Sequence, residues 1–179
     1  FQCKSCGEFT ECAECCIKRH KCMSLHRLSH WNGQFWEDTS LEKMGLMFQL
    51  GHCGSECPVP DLLQPLTVLH INGVHTMNAR WCGYDVSDGE NCWWQLMHNG
   101  WYLATMVELR SCATFESLEM FQLLNMVANV NVCDYVSSLE QKMDPWETEW
   151  LPDRYKAFRR MSCQWTYLKQ MKRAGVENL

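Results

Sequence analysis

Hydrophobic positions along the chain fall into three regimes. Residues 1 to about 31 show no apolar period and are too polar and too short to fold on apolar burial alone. From residue 32 to about 110, short β-rich runs alternate with loops. "GLMFQLGH" reads as a strand that enters the Gly-rich loop "GHCGSECPVP". "LTVLHINGVHTMNARWCGY" predicts a hairpin, because two β-rich runs flank Asn72-Gly73, a dipeptide suited to a type I′ turn. "WWQLMHNGWYLATM" repeats that pattern around Asn99-Gly100. After residue 111 the apolar residues Phe115, Leu118, Phe121 and Leu124 to Val127 take the three-to-four spacing of an amphipathic helix, and the latter half of the stretch predicts a second helix. "MDPWETEWLPD" breaks the pattern. A last helix, about 153 to 174, starts at an Asp153 cap, stops before Gly175 and aligns Tyr155, Phe158, Met161, Trp165 and Leu168.

The fold class expected is therefore α+β: a small Cys/His module that needs more than apolar burial to fold, a strand and hairpin region, then a carboxy-terminal helical region. The expected segments are 1–57 for the Cys/His cluster with its closing loop, 58–110 for the β-rich region and 111–179 for the helices, in one compact unit.

Composition changes this picture mainly through cysteine. Seven of the 13 cysteines lie between Cys3 and Cys53, and the other six are scattered. Clustered cysteines beside histidines point to metal; a disulfide framework would be spread more evenly, and an odd total opposes complete pairing. A reducing compartment follows. No apolar run is long enough to span a membrane. The chain begins at Phe1 and reads as a piece of a longer protein. A net charge of −5 disfavours binding nucleic acid by bulk electrostatics. The charge is uneven, however. Arg154 to Arg173 carries seven basic residues and no acidic one, after a mostly acidic stretch from Asp134 to Asp153.

The cluster has ligand spacing. Cys3-x2-Cys6 and Cys12-x2-Cys15 are two pairs that can each aim both sulfurs at one ion; His20 and His26 follow. His52 and Cys57 form a further pair in the Gly-rich loop. These eight ligands suffice for about two zinc ions, each tetrahedral. A sequential assignment uses Cys3, Cys6, Cys12 and Cys15, then His20, His26, His52 and Cys57. An interleaved one uses Cys3, Cys6, His20 and His26, then Cys12, Cys15, His52 and Cys57. The interleaved form is favoured, because the sequential one leaves an ion with three histidines and one thiolate, a set commoner in catalytic sites. Cys16 can replace Cys15 and His30 can replace His26; Cys22 and Cys53 are spare donors. Cys82, Cys92, Cys112, Cys133 and Cys163 read as small buried residues, and His75 with Cys82 is an alternative pair for a third ion.

With that pattern in place the chain resembles the cysteine-cluster domain, of the second CxC type, that precedes the catalytic region of fungal KDZ (Kyakuja–Dileera–Zisupton) transposases. The stretches that carry the resemblance are "CKSC", "CAECCIKRH", "LHRLSHWNGQFW", "TSLEKMGLMFQLGH" with "CPVP", "VLHINGVHTMNARWCGY", "QLMHNGWYLAT", "SCATFESLEMFQLL" and "DRYKAFRRMSCQWTYLKQMKRAG". The resemblance implies a zinc-chelating domain amino-terminal to a transposase catalytic domain in the same chain, nuclear, and engaged in DNA transactions. The family usually reads Cys-Gly-Cys where this chain has Cys82-Gly83-Tyr84, and proline where Leu103 stands.

No Ser/His/Asp arrangement, phosphate-cradling glycine loop or HExxH motif is visible, so this segment reads as non-catalytic with no small-molecule substrate. DNA is the expected partner, with Arg159, Arg160, Lys169, Lys172 and Arg173 as the phosphate-contacting residues; a protein-protein module of a domesticated or decayed element is the alternative. Trp31, Phe35 and Trp36 are expected to cover the metal module.

Overall fold

The structure, a computed structural model, describes residues 1–7, 9–52, 55–84, 92–105, 109–144 and 154–176. It is an α+β chain that divides into two compact units, one of Phe1–Leu66 with His75–Asn99 and one of Thr67–Val74 with Gly100–Leu179. The breaks at 57 and 110 read from the sequence do not coincide with these limits, because the hairpin of the middle region contributes to both units.

In the first unit, β1 (Gln2–Cys3), β2 (Leu28–Trp31) and β3 (Trp36–Thr39) form an antiparallel sheet, with Cys3 opposite Leu28 and Trp31 opposite Trp36. The helix α1 (Ala13–Arg19) lies in the long connection from β1 to β2. Beside this sheet Cys3, Cys16, Leu28, Leu41 and Leu46 form a buried apolar cluster.

The same unit carries β4 (Met47–Gln49), which pairs in parallel with β6 (Gly73–Cys82), placing Gln49 beside Arg80. The strand β5 (Pro60–His70) precedes β6 and lies beside it in the second sheet. Asn129 is the one non-glycine with positive φ among the described residues. The type I′ turn expected on Asn72-Gly73 requires positive φ at both positions, so it is not formed; Gly73 (φ 142°) instead opens β6.

"WWQLMHNG" also departs from its strand reading. Cys92–His98 is a helix, α2, and Gly100 (φ 74°) follows it in the left-handed conformation. The Asn-Gly pair thus ends a helix, where glycine supplies positive φ without a Cβ clash.

In the second unit, β7 (Trp101–Leu103) pairs antiparallel with β8 (Ser111–Thr114), which pairs in parallel with Thr67–Leu69. Thr114 caps α3 (Phe115–Ala128) by accepting from the Ser117 N–H, and Asn131 caps α4 (Val132–Met143) by accepting from the Asp134 N–H. The last helix, α5, spans Tyr155–Arg173 and stops before Gly175 (φ 74°). The expected cap Asp153 lies outside the described residues. Phe158 and Met161 of α5 are fully buried; Phe158 lies 5.4 Å from Phe121 and 5.3 Å from Tyr135, ring centre to ring centre. No helix among the described residues is long and apolar enough to cross a membrane.

Candidate metal centres

Two groups of donors converge, each with all ligand atoms within 4.8 Å of one another. The first is Cys3, Cys6, His20 and His26. Its cysteines come from one tight turn: Cys3 ends β1, Cys6 follows three residues later, and Gly7 (φ 107°) closes the turn by bridging back to Cys3. The histidines come from the far end of α1 and the segment after it. Cys6 Sγ lies 3.5 Å from His20 Nε2 and 3.1 Å from His26 Nδ1; Cys3 Sγ lies 3.5 Å from His26 Nδ1.

These distances fit zinc. A tetrahedral ion at about 2.3 Å from sulfur and ~2.0–2.1 Å from nitrogen sets sulfur–nitrogen edges near 3.6 Å. Two of the three observed edges match and the third is shorter by about half an ångström. His20 is fully buried, and its Nδ1 donates to the Cys16 carbonyl at 2.8 Å. That bond fixes the tautomer and leaves the Nε2 lone pair aimed at the sulfurs, the outer support that ligating histidines require. Burial, and then the neighbouring Cys3 thiol, push the Cys6 thiol up; a cation placed among these sulfurs reverses that trend.

The second group is His52, Cys57 and Cys82. His52 Nε2 is 3.1 Å from Cys82 Sγ, and the two sulfurs are 3.5 Å apart. The parallel register of β4 with β6 carries the chain past Gln49–Arg80 so that Gly51 (φ 80°) reaches Cys82; a Cβ on Gly51 would sit 3.3 Å from that of Cys82. Gln95 of α2, buried, clamps the Cys82 backbone: its Oε1 accepts from the Cys82 N–H and its Nε2 donates to the Cys82 carbonyl, both at 2.9 Å. Across the site, the Gly83 N–H donates to the Val59 carbonyl at 2.8 Å. Sequence reasoning reads Cys82 as a small buried residue, with His75 as its partner only in an alternative third site. His75 is buried within β6, and among the described residues it joins neither group. The signal that could have found Cys82 is its place as a cysteine before glycine at a strand end.

Cys12 and Cys15 join neither group among the described residues. Both are exposed, Cys12 as the cap of α1 and Cys15 in its first turn. The Cys15 backbone N–H, then its thiol, hold the Cys12 thiol below its ordinary value, and the Cys12 sulfur in turn pushes the Cys15 thiol up. Cys16 is buried, and Cys53 lies outside the described residues. His30 stacks on Phe1 and faces Glu37 at 3.8 Å.

The aromatic stretch departs from its expected covering role. Trp31, Phe35 and Trp36 are 52%, 57% and 39% exposed, so they do not roof the metal module. They ride on the β2–β3 turn, which Asn32 Oδ1 braces by accepting from the Gln34 and Phe35 N–H groups. On α5, Arg159, Arg160, Lys172 and Arg173 are exposed, whereas Lys169 pairs with Glu119 and lies over the Trp165 ring.

An α+β chain with two Cys/His groups able to hold metal ions is a cysteine-cluster domain. Residues 41–147 match the family described as CxC2 like cysteine cluster associated with KDZ transposases. That segment is more than half of the 179 residues, and the chain belongs to this family. The second donor group lies inside the matched segment and the first lies before it. No curated protein and no solved structure matches the chain.

Proposed function

We propose that this chain is a zinc-chelating, non-catalytic accessory domain of a KDZ-type transposase, working in the nucleus beside the catalytic domain of the same polypeptide and contacting DNA through α5. The observation that carries the reading is the convergence of Cys3, Cys6, His20 and His26, with His20 already held in the ligating tautomer. Cys3, Cys6, His20 and His26 hold one ion; His52, Cys57 and Cys82 hold the other. At Cys3, Cys6, His20 and His26 zinc supplies folding energy, because a tetrahedral set of four protein ligands leaves no position for a substrate; His52, Cys57 and Cys82 supply three ligands to the other ion.

The DNA contact is drawn from Arg159, Arg160, Lys172 and Arg173. Their apolar partners Phe158 and Met161 face the core, so the cations stand in solvent. Replacing Arg159, Arg160 and Lys172 with glutamine lowers affinity for duplex DNA equally across sequences. It also flattens the logarithmic salt slope by roughly 0.9 for each phosphate that is no longer neutralised. Unchanged affinity and slope in that triple variant would remove α5 from the account.

One observation favours a protein partner as the second reading. Met120, Leu123, Met126 and Val127 of α3 are 40–76% exposed and recur at the spacing that places them on one side of the helix, and contiguous exposed apolar surface marks interaction sites.

A further inference from the structure

We infer that Cys12 and Cys15 form a redox-active dithiol that closes to a disulfide by exchange with a low-molecular-weight disulfide of the glutathione type, separately from the metal ligands. The inference goes beyond the transposase-domain reading and does not depend on it.

Three observations carry it. First, the pair is pre-set. Cys12 holds the extended cap conformation (φ −72°, ψ 162°) and Cys15 stands three residues on, in the first turn of α1, with its thiol beside the Cys12 sulfur. Positions three apart at the start of a helical turn share one face, so the two thiols stand on the same side of α1. Second, the pair is accessible. Both thiols are exposed, whereas Cys3, Cys16, Cys57, Cys82 and Cys112 are buried. The other exposed cysteines, Cys22, Cys133 and Cys163, each lack a second cysteine within four positions. Third, the rest of α1 is anchored independently. The Cys16 carbonyl holds His20, and Arg19 pairs with Glu11 at 2.9 Å. The dithiol thus projects from a helix whose other end belongs to the metal centre, and no ligand needs to leave that centre for the disulfide to form.

The chemistry balances. The Cys12 thiolate attacks one sulfur of the glutathione disulfide; a mixed disulfide forms and one glutathione thiolate leaves. The Cys15 thiolate then attacks the Cys12 sulfur, the internal S–S bond forms and the second glutathione leaves. Two protein thiols give up two protons and two electrons, and one glutathione disulfide becomes two thiols. So short a loop removes little chain entropy when closed, which suits a bond that opens and closes against a thiol buffer.

The test is thiol mapping on the zinc-loaded full chain, equilibrated in glutathione buffers of stepped oxidation, then alkylated and mapped by mass spectrometry. Cys12 and Cys15 are expected to lose alkylation together, the chain to lighten by the mass of two hydrogens, and zinc content to stay constant. In Cys15→Ser the reaction should stop at a glutathione adduct on Cys12. Three results would overturn the inference. They are adducts on Cys12 and Cys15 without the internal disulfide, zinc released in step with their oxidation, and a lower zinc stoichiometry in Cys12→Ser or Cys15→Ser, which would make them ligands.

Discussion

Gln95 is the most informative single residue to change. It lies on α2, contributes no metal-binding atom, and is 4% exposed. Its amide spans the Cys82 peptide from both sides with two hydrogen bonds of 2.9 Å. Gln95→Met keeps nearly the same volume and removes both partners. A buried backbone group left without a partner costs about 1–3 kcal/mol. The N–H and C=O of Cys82 together therefore imply roughly 2–6 kcal/mol, measured as a lowered urea midpoint. The same bonds aim the Cys82 sulfur at His52 and Cys57. Loss of such outer support costs about 10–100-fold in metal affinity. Chelator competition should then release one zinc early, while the ion on Cys3, Cys6, His20 and His26 is released as in wild type. A variant with the wild-type midpoint and two unchanged release steps would refute the reasoning, and with it the assignment of Cys82 as a ligand.

Cys6→Ser should cost one zinc equivalent and open the segment around α1 to protease, because the ion ties His20, at the end of α1, to Cys3 and Cys6; metal analysis and limited proteolysis read both effects. Phe158→Ala should destabilise the second unit by about 3–5 kcal/mol in thermal or urea unfolding, since the ring is fully buried against Phe121 and Tyr135. Asp38 supplies a pH test. Burial alone would raise its pKa, but Lys4, Arg27 and Ser29 hold the carboxyl below the usual value. A depressed folded-state pKa contributes stability above the unfolded value of ~3.9 that is lost as pH falls through the folded one. Asp38→Asn should thus narrow the stability difference between neutral pH and acid, by a small amount because the pair is about half exposed to solvent; an unchanged difference would discount that ion pair.

The local chemistry of this fold is legible in the sequence and its long-range pairing is not. Cys3 and Cys6 sit in a turn that their own spacing and Gly7 define, and the helical period over Phe115, Leu118 and Phe121 survives in α3, whereas Met126 and Val127 at its end are exposed. Cys82 escapes a sequence reading because its partners are set by a parallel strand register. Nothing near Cys82 encodes that Gln49 pairs with Arg80, and hence that the loop beyond β4 meets the end of β6. The α2 helix is hidden for a related reason. Trp93 and Trp94 favour strands by propensity, but Gln95 and Leu96 are buried side by side, and Gln95 is held by Cys82, a distant residue. Tertiary contact outweighs local preference there. Trp31 and Trp36 mislead in the opposite sense. Large apolar rings argue for burial, yet they end up as a cross-strand pair on an exposed turn, with ring centres 5.6 Å apart.

The interruption of both units by the β5–β6 hairpin has a genetic consequence. Unit one resumes at His75 after stopping at Leu66, and unit two borrows Thr67–Val74 before beginning in earnest at Gly100. A crossover at Leu66 severs the first unit, one at Asn99 severs the second, and one at Val74 severs both. No single breakpoint delivers two intact halves, so any recombination between Leu66 and Asn99 separates residues that fold together.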